Sequence, residues 1–174
     1  MSREKKRQNR QAWIDWVQSR LDDRACRYVN VTLTMKQGVK FGDARLELLT
    51  PEAADWNTRN FLNALNRKVL GNSYKRRGRR LRVFDVAEGG DDSTPRDVTE
   101  GRRCSMPRAH RHMLIEITPR FTVDEYRNII CKLWRSSRWG YDHIYVKPLE
   151  SARGSIAYMT KTGLDAIRIG TSTF

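Results

Sequence analysis

The order in which strand and helix patterns follow one another constrains the fold of this chain more than any other feature. Residues 28–36 alternate between apolar and polar side chains, and this period of two predicts a half-buried strand. Three more strands are predicted at 81–88, 109–118 and 143–149. One helix is predicted between the first two strands and another between the last two.

Both of these helices have recognisable start signals. The sequence Thr-Pro-Glu at 50–52 supplies a capping hydroxyl, a proline in the first turn and an acid near the helix dipole, and the helix should end before Gly71. Residues 122–125 form a capping box that begins a helix running to about Arg138. The order of elements is therefore β-α-β-β-α-β.

This order predicts an α+β fold of the ferredoxin-like or RRM-like type, in which an antiparallel sheet carries its helices on one face. The other face of the sheet is then open for a functional site. Two further helices are predicted, one at 8–21 and one near the C-terminus at 152–162, which stops at Gly163. We divide the chain into a basic N-terminal extension, 1–27, and one domain, 28–174.

The charge balance indicates a polyanionic partner. The chain of 174 residues contains 34 Lys and Arg against 20 Asp and Glu, a formal net charge of +14, and such a surplus most often serves nucleic acid. The basic segment 75–80 is predicted to be a loop that clamps phosphates, and the alternative is a solvated basic loop. The DNA contacts expected from this segment are Arg76, Arg77, Arg79 and Arg80.

Other features exclude several classes of protein. The three cysteines have unrelated spacings that form neither a disulfide framework nor a zinc motif, and they suit a reducing cytoplasm. No apolar run approaches the roughly 20 residues of a membrane-spanning helix, so no membrane partner is expected. The phosphate-binding sequence G-x-x-x-x-G-K-[ST] does not occur, so no ATPase is expected in this chain.

Two histidines mark the third predicted strand as a candidate metal site. His110 and His112 alternate onto one face, about 7 Å apart, while the apolar residues that follow, such as Ile115, cover the helices from the other face. Glu88 ends the preceding strand and is the expected third ligand, because a divalent ion acting on phosphate favours a hard oxygen ligand. Glu116 shares the histidine face but lies about 13 Å from His112, too far for a common ion. The alternative is a pair of solvent-facing histidines.

The last predicted helix supplies a candidate nucleophile. Tyr158 and Lys161 are three residues apart and therefore share a helix face. A phenol is a poor nucleophile at neutral pH, but a metal that polarises a phosphate and a nearby cation would help it attack. The product would be a phosphotyrosine link. The alternative is an amphipathic helix with an interfacial tyrosine and a solvated lysine.

Aromatic residues cluster near the end of the helix that is predicted to run to about Arg138. Trp134, Trp139 and Tyr141 are expected mainly to pack that helix on the sheet, with base stacking as the alternative. His143, at the start of the fourth predicted strand, is expected to be structural or to face DNA, and not to bind the metal.

These segments together resemble the HUH endonucleases, especially the rolling-circle replication initiators (Rep proteins). Val-Thr-Leu-Thr at 31–34 is similar to the first motif of the family, a strand with alternating threonines. His-Arg-His at 110–112 is similar to the metal-binding second motif, and Tyr-Met-Thr-Lys at 158–161 to the nucleophile motif. Ala-Glu-Gly at 87–89 resembles the acidic-ligand position of viral-type Reps. The resemblance covers about 28–163.

The chain departs from the family pattern in two places. The residue between the two histidines is usually apolar, and here it is Arg111. The connection 89–108 also looks long. Neither difference removes a catalytic group.

The resemblance implies an endonuclease and ligase that recognises a sequence or structure in single-stranded DNA. A Mg²⁺ or Mn²⁺ ion on His110, His112 and Glu88 would polarise the scissile phosphate. Tyr158 would attack and hold the 5′ phosphate covalently, and Lys161 would position the phosphate or stabilise charge. The DNA contacts expected besides the basic segment are Thr32, Thr34, Lys36 and Arg111.

The implied partners are single-stranded DNA or an origin hairpin, a polymerase that extends the freed 3′ hydroxyl, and a helicase that is a host protein or separately encoded. The expected location is the cytoplasm of a prokaryotic host, or the nucleus if the chain is from a eukaryotic virus. An HUH transposase or relaxase would share the same site. A different class is an RRM-like domain that binds RNA or single-stranded DNA without catalysis, but the two central predicted strands carry no aromatic residue on the open face.

Overall fold

The computed structural model describes residues 3–21, 27–41, 45–89, 109–161 and 163–173, and the statements below concern these ranges. Cys26, Cys104 and nearly all of the predicted connection 89–108 lie outside the described residues. The helices and strands are α1 (Arg3–Leu21), β1 (Arg27–Met35), β2 (Gly38–Phe41), β3 (Arg45–Leu48), α2 (Pro51–Leu70), α3 (Asn72–Arg77), β4 (Val83–Glu88), β5 (His110–Ile117), α4 (Val123–Arg135), β6 (Gly140–Pro148) and α5 (Ala152–Met159).

The four predicted strands form one antiparallel sheet in the order β4-β5-β1-β6. The α+β class is confirmed, and the strand order is compatible with a ferredoxin-like fold. The boundaries of the four sheet strands and of the helices α2, α4 and α5 agree with the sequence patterns to within about three residues, whereas α1 begins five residues earlier than predicted. Both predicted caps are present, since Thr50 accepts from the Ala53 amide at 3.2 Å and Thr122 forms the capping box with Glu125.

One face of the sheet packs against α2 and α4. The odd-numbered residues of β1 from Val29 to Met35 are buried on this face. Phe61 of α2 and Trp134 of α4 meet edge to face there, with ring centroids 5.3 Å apart. Burial of this apolar set is the main stabilising contribution of the two long helices.

The second face of the sheet is not open along its whole length, which corrects the expectation of helices on one face only. Helices α1 and α5 cover part of it through Val17 and Ile156, both fully buried. The reason lies in the strands, because Phe84 and Leu114 point to this face and exposed apolar surface costs about 25 cal/mol per Å². Of the polar residues on this face, Asn30 of β1 lies beside α5 and donates to Ser155 Oγ at 3.3 Å, whereas His110 of β5 is partly exposed.

Three local elements differ from the sequence expectations. Residues 75–77, predicted to be loop, belong to the short helix α3, which lies between Gly71 at φ 54° and Gly78 at φ 63°. Strands β2 and β3 form a hairpin that the sequence patterns did not indicate. Residues 166–173 run beside β4, where the Thr173 amide donates to the Val83 carbonyl at 2.7 Å. Backbone groups at the β4 edge of the sheet therefore have hydrogen-bond partners.

Within the described ranges, none of the helices combines the length and hydropathy that crossing a membrane requires.

Candidate active site

Strands β4 and β5 bring three metal-ligating side chains together. Glu88 is directly opposite His110 in the antiparallel ladder, and Val86 is opposite His112. The Glu88 Oε2 atom lies 3.0 Å from His112 Nε2 and 3.5 Å from His110 Nε2. One donor atom from each of the three residues falls within 4.8 Å of the others. The expectation that the histidines share a face is therefore confirmed, and Glu88 points to the same face.

The spacing of these three atoms fits one small divalent cation. Such an ion with ligands at about 2.1 Å places neighbouring ligands about 3 Å apart. The two Glu88–histidine separations, 3.0 and 3.5 Å, are close to that value. Two imidazole nitrogens and one carboxylate oxygen are borderline and hard donors that suit a divalent ion. The group could hold a metal through these residues, with further coordination positions left for water or phosphate oxygens.

The electrostatic surroundings favour the protonation states that metal binding needs. Burial raises the pKa of Glu88, but the Lys161 ammonium and the two histidines lower it more, so this pKa lies below its ordinary value. Burial and the neighbouring His110 lower the pKa of His112. At neutral pH the first residue is a carboxylate and the second a neutral imidazole, and these forms bind cations without releasing a proton.

Thr32 holds the imidazole of His112 in place. It is opposite His112 in the β1–β5 ladder, and its Oγ1 lies 3.1 Å from His112 Nδ1. When Nδ1 carries the proton and donates it to this hydroxyl, the lone pair of Nε2 is directed at Glu88 and the candidate ion. The structure thus connects Thr32 of β1 with the histidine pair of β5.

Replacing Thr32 with valine should weaken Mn²⁺ binding by about 10- to 100-fold, because the imidazole loses the partner that orients it. Isothermal titration of the purified chain with Mn²⁺ measures this change. Thr32→Ser keeps the hydroxyl and should bind Mn²⁺ within about threefold of the unsubstituted chain. Equal Mn²⁺ affinity of Thr32→Val and the unsubstituted chain would show that the contact with His112 has no orienting role.

Helix α5 directs Tyr158 towards the histidines. Ser151 caps the helix by accepting from the Gly154 amide at 3.1 Å, and Tyr158 lies in its last turn. The Tyr158 ring is 56% exposed, and its centroid is 5.7 Å from that of His112. The phenol is therefore both accessible and adjacent to the candidate metal group.

Lys161 connects the tyrosine with the metal group, although it lies outside the helix. Helix α5 ends at Met159, three residues earlier than predicted, and the Lys161 amide donates to the Tyr158 carbonyl in the following turn. The Lys161 Nζ atom is 4.1 Å from the centroid of the Tyr158 ring and 3.1 Å from Glu88 Oε1. Tyr158 and Glu88 raise the pKa of Lys161, so it is an ammonium ion at neutral pH.

Helix α1 contributes to the site in a way that the sequence patterns did not indicate. The Arg10 guanidinium donates to the carbonyl of Ala157 and, at 3.4 Å, to Oγ1 of Thr160. These contacts hold the end of α5 that carries the tyrosine. The sequence shows Arg10 only as part of a basic N-terminal run that could contact phosphates or be solvated. Neither hydrophobic periodicity nor motif spacing distinguishes Arg10 from its neighbours.

Arg111 is not available as a DNA contact, which corrects its placement in the expected DNA-binding set. Its side chain is 3% exposed, and it is paired with Asp85 at 3.3 Å and with Asp55 of α2. Burial raises the pKa of Asp85 to about 6 even though Arg111 lowers it. Arg111 and Met113 are two residues apart on β5 and therefore point to the same face. This alternation already indicated that Arg111 faces α2 and α4, away from the histidines.

The structure does not bring the basic segment to the histidines. Arg79 pairs with Glu116 at 3.3 Å, at the far end of β5 from His110. Six residues of strand correspond to about 20 Å. Arg76, Arg77 and Arg80 are exposed near that distant end, and Lys36 follows the end of β1. A role for these residues and for Thr34 in binding DNA stays a prediction.

Comparison with known protein families, curated proteins and solved structures finds no match to this chain.

Proposed function

We propose that this chain is a metal-dependent endonuclease of HUH type that nicks and rejoins single-stranded DNA through a 5′-phosphotyrosine intermediate. The observation that carries the proposal is the convergence of three distant segments at one place. Glu88 from β4, the two histidines of β5, and the Tyr158–Lys161 pair at the end of α5 lie within contact of one another. Each motif alone is common, but their meeting in space supports one shared chemistry.

In the proposed reaction Tyr158 is the nucleophile. Its Oη forms a bond to the scissile phosphorus, the bond from phosphorus to the 3′ oxygen breaks, and the phenol proton is lost to solvent while the leaving oxygen takes one up. A divalent ion on Glu88, His110 and His112 would polarise the phosphate. The exposed ring leaves room for a strand to approach in line. Rejoining is the same step in reverse.

Lys161 supplies a fixed positive charge beside the attacking group. As an ammonium ion over the Tyr158 ring it favours the developing phenolate and the pentavalent phosphate. Its contact with Glu88 also holds it near the candidate ion. Because its Nζ atom is 4.1 Å from the Tyr158 ring centroid and 3.1 Å from Glu88 Oε1, Lys161 is a better candidate for charge stabilisation than any residue of the basic segment 75–80.

The proposed biological context is the initiation of rolling-circle replication. The strand order β4-β5-β1-β6 supports the ferredoxin-like arrangement of such domains. The freed 3′ hydroxyl would serve a polymerase, and unwinding would need a helicase from the host or a separate gene. The proposed location is the prokaryotic cytoplasm, or the nucleus for a eukaryotic virus. A transposase or relaxase of the same type would share these residues and differ in its DNA substrate.

The proposal is tested with a fluorescent pool of random-sequence single-stranded oligonucleotides. Incubation with the purified chain and Mn²⁺ should give a covalent protein–DNA adduct on a denaturing gel, and peptide mass analysis should locate it on Tyr158. Chelation of the metal should reduce adduct formation by at least about 100-fold, because the phosphate is no longer polarised. Retention of DNA without an adduct would instead identify a binding domain of RRM type.

A further inference from the structure

The outer strand β6 presents a second set of side chains to the face that carries the candidate active site. Thr32 of β1 is opposite His112 on one side and opposite Tyr145 on the other. Directly opposed residues in antiparallel strands point to the same face, so Tyr145 shares the face of His112. Two strand spacings separate them, which is about 10 Å.

Alternation along β6 extends this set in both directions. Val146 lies in the core on the α2 and α4 side, so its neighbours Tyr145 and Lys147 face the site. The register with β1 is irregular between Ile144 and Gly140, but Gly140 is opposite the core residue Met35, so the even-numbered positions face the helices at both ends of β6. The odd-numbered side chains are aromatic or basic along most of the strand. They are Tyr141, His143, Tyr145 and Lys147, here called the β6 platform.

The platform is exposed except for the half-buried Tyr141, and its side chains form two neighbouring pairs. Tyr145 is 50% exposed, and the Lys147 Nζ atom lies 5.0 Å from its ring centroid. His143 is exposed, and its ring centroid is 5.9 Å from that of Tyr141. Among the described residues, two of the large exposed hydrophobic side chains, Tyr145 and Tyr158, lie on this one face of the sheet. Exposed aromatic groups in a row beside a catalytic site indicate a binding surface.

At Tyr145 and Lys147 the accessible part of β6 is its face and not its edge. Arg127 of α4 donates to the Val146 carbonyl from Nε at 3.3 Å and from Nη2 at 3.2 Å, so this edge acceptor is already used. Lys147 and Pro148 also disfavour pairing with another strand. Addition of a protein strand to the edge is therefore disfavoured, while flat ligands can reach the rings from above the face.

We propose that the β6 platform stacks the bases of the single strand whose phosphate lies at Tyr158. The proposal rests on the proposed function. Alternate side chains on a strand are about 7 Å apart, which allows successive rings to take separate bases. The distance of about 10 Å between His112 and Tyr145 corresponds to about three nucleotides at stacked spacing. Lys147 at the end of the row would neutralise a phosphate.

Stacking of this kind has consequences for specificity. Every base has an aromatic face, so the platform would bind the strand near the cut with little preference for sequence. It would also hold the strand across β1 and β5, over Thr32, and so present one phosphate to the metal group. Recognition of a particular origin would then depend on other parts of the chain or on the shape of the DNA.

The test compares Tyr145→Ala with two controls. Tyr145→Phe keeps the ring, and Trp56→Ala removes an aromatic side chain that is 58% exposed on α2, on the opposite side of the sheet. Binding of a fluorescent 15-mer of thymidine is followed by anisotropy with chelator present, so that no cleavage occurs. Tyr145→Ala should raise the Kd by roughly tenfold or more, and both controls should stay within about twofold.

The salt dependence of the same binding separates stacking from charge. Tyr145→Ala should leave the slope of log K against log salt unchanged, whereas Lys147→Ala should reduce it by about 0.7, the value for one phosphate of a single strand. An unchanged Kd for Tyr145→Ala, or an equal increase in Kd for Trp56→Ala, would overturn the proposal that the β6 platform stacks bases. Tighter binding of an oligouridine RNA than of the thymidine strand would overturn its assignment to DNA.

The two proposals can fail separately. If the unsubstituted chain forms the Tyr158 adduct but Tyr145→Ala binds DNA normally, the platform is wrong and the endonuclease stands. If Tyr145→Ala loses binding but no adduct forms under any metal condition, the platform stands and the endonuclease is wrong.

Discussion

Replacement of Tyr158 by phenylalanine should abolish formation of the covalent DNA adduct, by at least about 10³-fold, while single-stranded DNA binding stays unchanged. The substitution removes the only atom proposed to attack phosphorus and keeps the ring beside His112. Since Tyr158 is 56% exposed, little of the core depends on its hydroxyl. Denaturing gels measure the adduct, and fluorescence anisotropy measures binding.

Tyr145→Phe is the matched control for this experiment. It removes a hydroxyl from a tyrosine of similar exposure, 50%, on the same sheet face. This variant should form the adduct at a rate within about threefold of the unsubstituted chain, since its ring still stacks. Undiminished cleavage by Tyr158→Phe would remove Tyr158 as the nucleophile, whatever the state of the metal group.

The second large effect concerns stability. Replacement of Arg111 by methionine should lower the free energy of unfolding by roughly 3–5 kcal/mol at pH 7.5, because it leaves the buried Asp85 without its nearest cation. Asp85 is completely buried, and its other charged neighbours, Arg168 and Asp55, do not replace the lost pair. Urea denaturation followed by circular dichroism measures the change.

The loss of stability caused by Arg111→Met should be smaller at pH 5 than at pH 7.5. The pKa of Asp85 is raised from 3.8 to about 6, so the folded protein favours the protonated carboxyl. The contribution of this carboxyl to the free energy of unfolding therefore falls as the pH rises from about 4 to 6. Without Arg111 this fall continues above pH 6. At pH 5 the carboxyl is protonated in both proteins, and the cost should be about 2 kcal/mol smaller than at pH 7.5.

A double substitution checks the cause. Asp85→Asn combined with Arg111→Met removes both charges, so most of the lost stability at pH 7.5 should return and the pH dependence of the difference should disappear. An equal cost of Arg111→Met at pH 5 and pH 7.5 would show that packing of the long side chain, and not its charge, is what the fold needs.

The departure of Arg111 from the family pattern now has a physical reason. An apolar residue at this position would face the helices, as Met113 and Ile115 do. Here α2 supplies Asp55 and β4 supplies Asp85, and both acids pair with the Arg111 side chain. The sequence showed an unexpected arginine, but its two acidic partners are 56 and 26 residues away and have no local signature.

Much of the fold was predictable because it depends on local patterns. Alternation in β1 and the capping residues of α2 and α4 identified those elements and their order. The shared face of His110 and His112 also follows from a period of two, which no packing can change without breaking the strand. The helix-side position of Arg111 followed from the same period.

Other parts could not be predicted because they depend on which elements meet. Helix α1 covers part of the second sheet face, and residues 166–173 run beside β4. Neither segment has a sequence pattern that identifies the element it packs against. The proposed β6 platform was anticipated only in part. Base stacking was the alternative considered for Tyr141, but Tyr145 was not singled out, because its face is known only from its register with Thr32.

The sequence by itself determined an α+β chain with a large positive charge, a strand that presents two histidines to one side, and a tyrosine near a later helix end. Only the tertiary structure decided that Glu88 reaches both histidines, that Thr32 orients one of them, and that Lys161 lies between Tyr158 and Glu88. The physical reason is that periodicity sets the direction of a side chain on its own element. The distance between side chains of different elements is set by strand register and by the packing of helices, which arise from the whole chain.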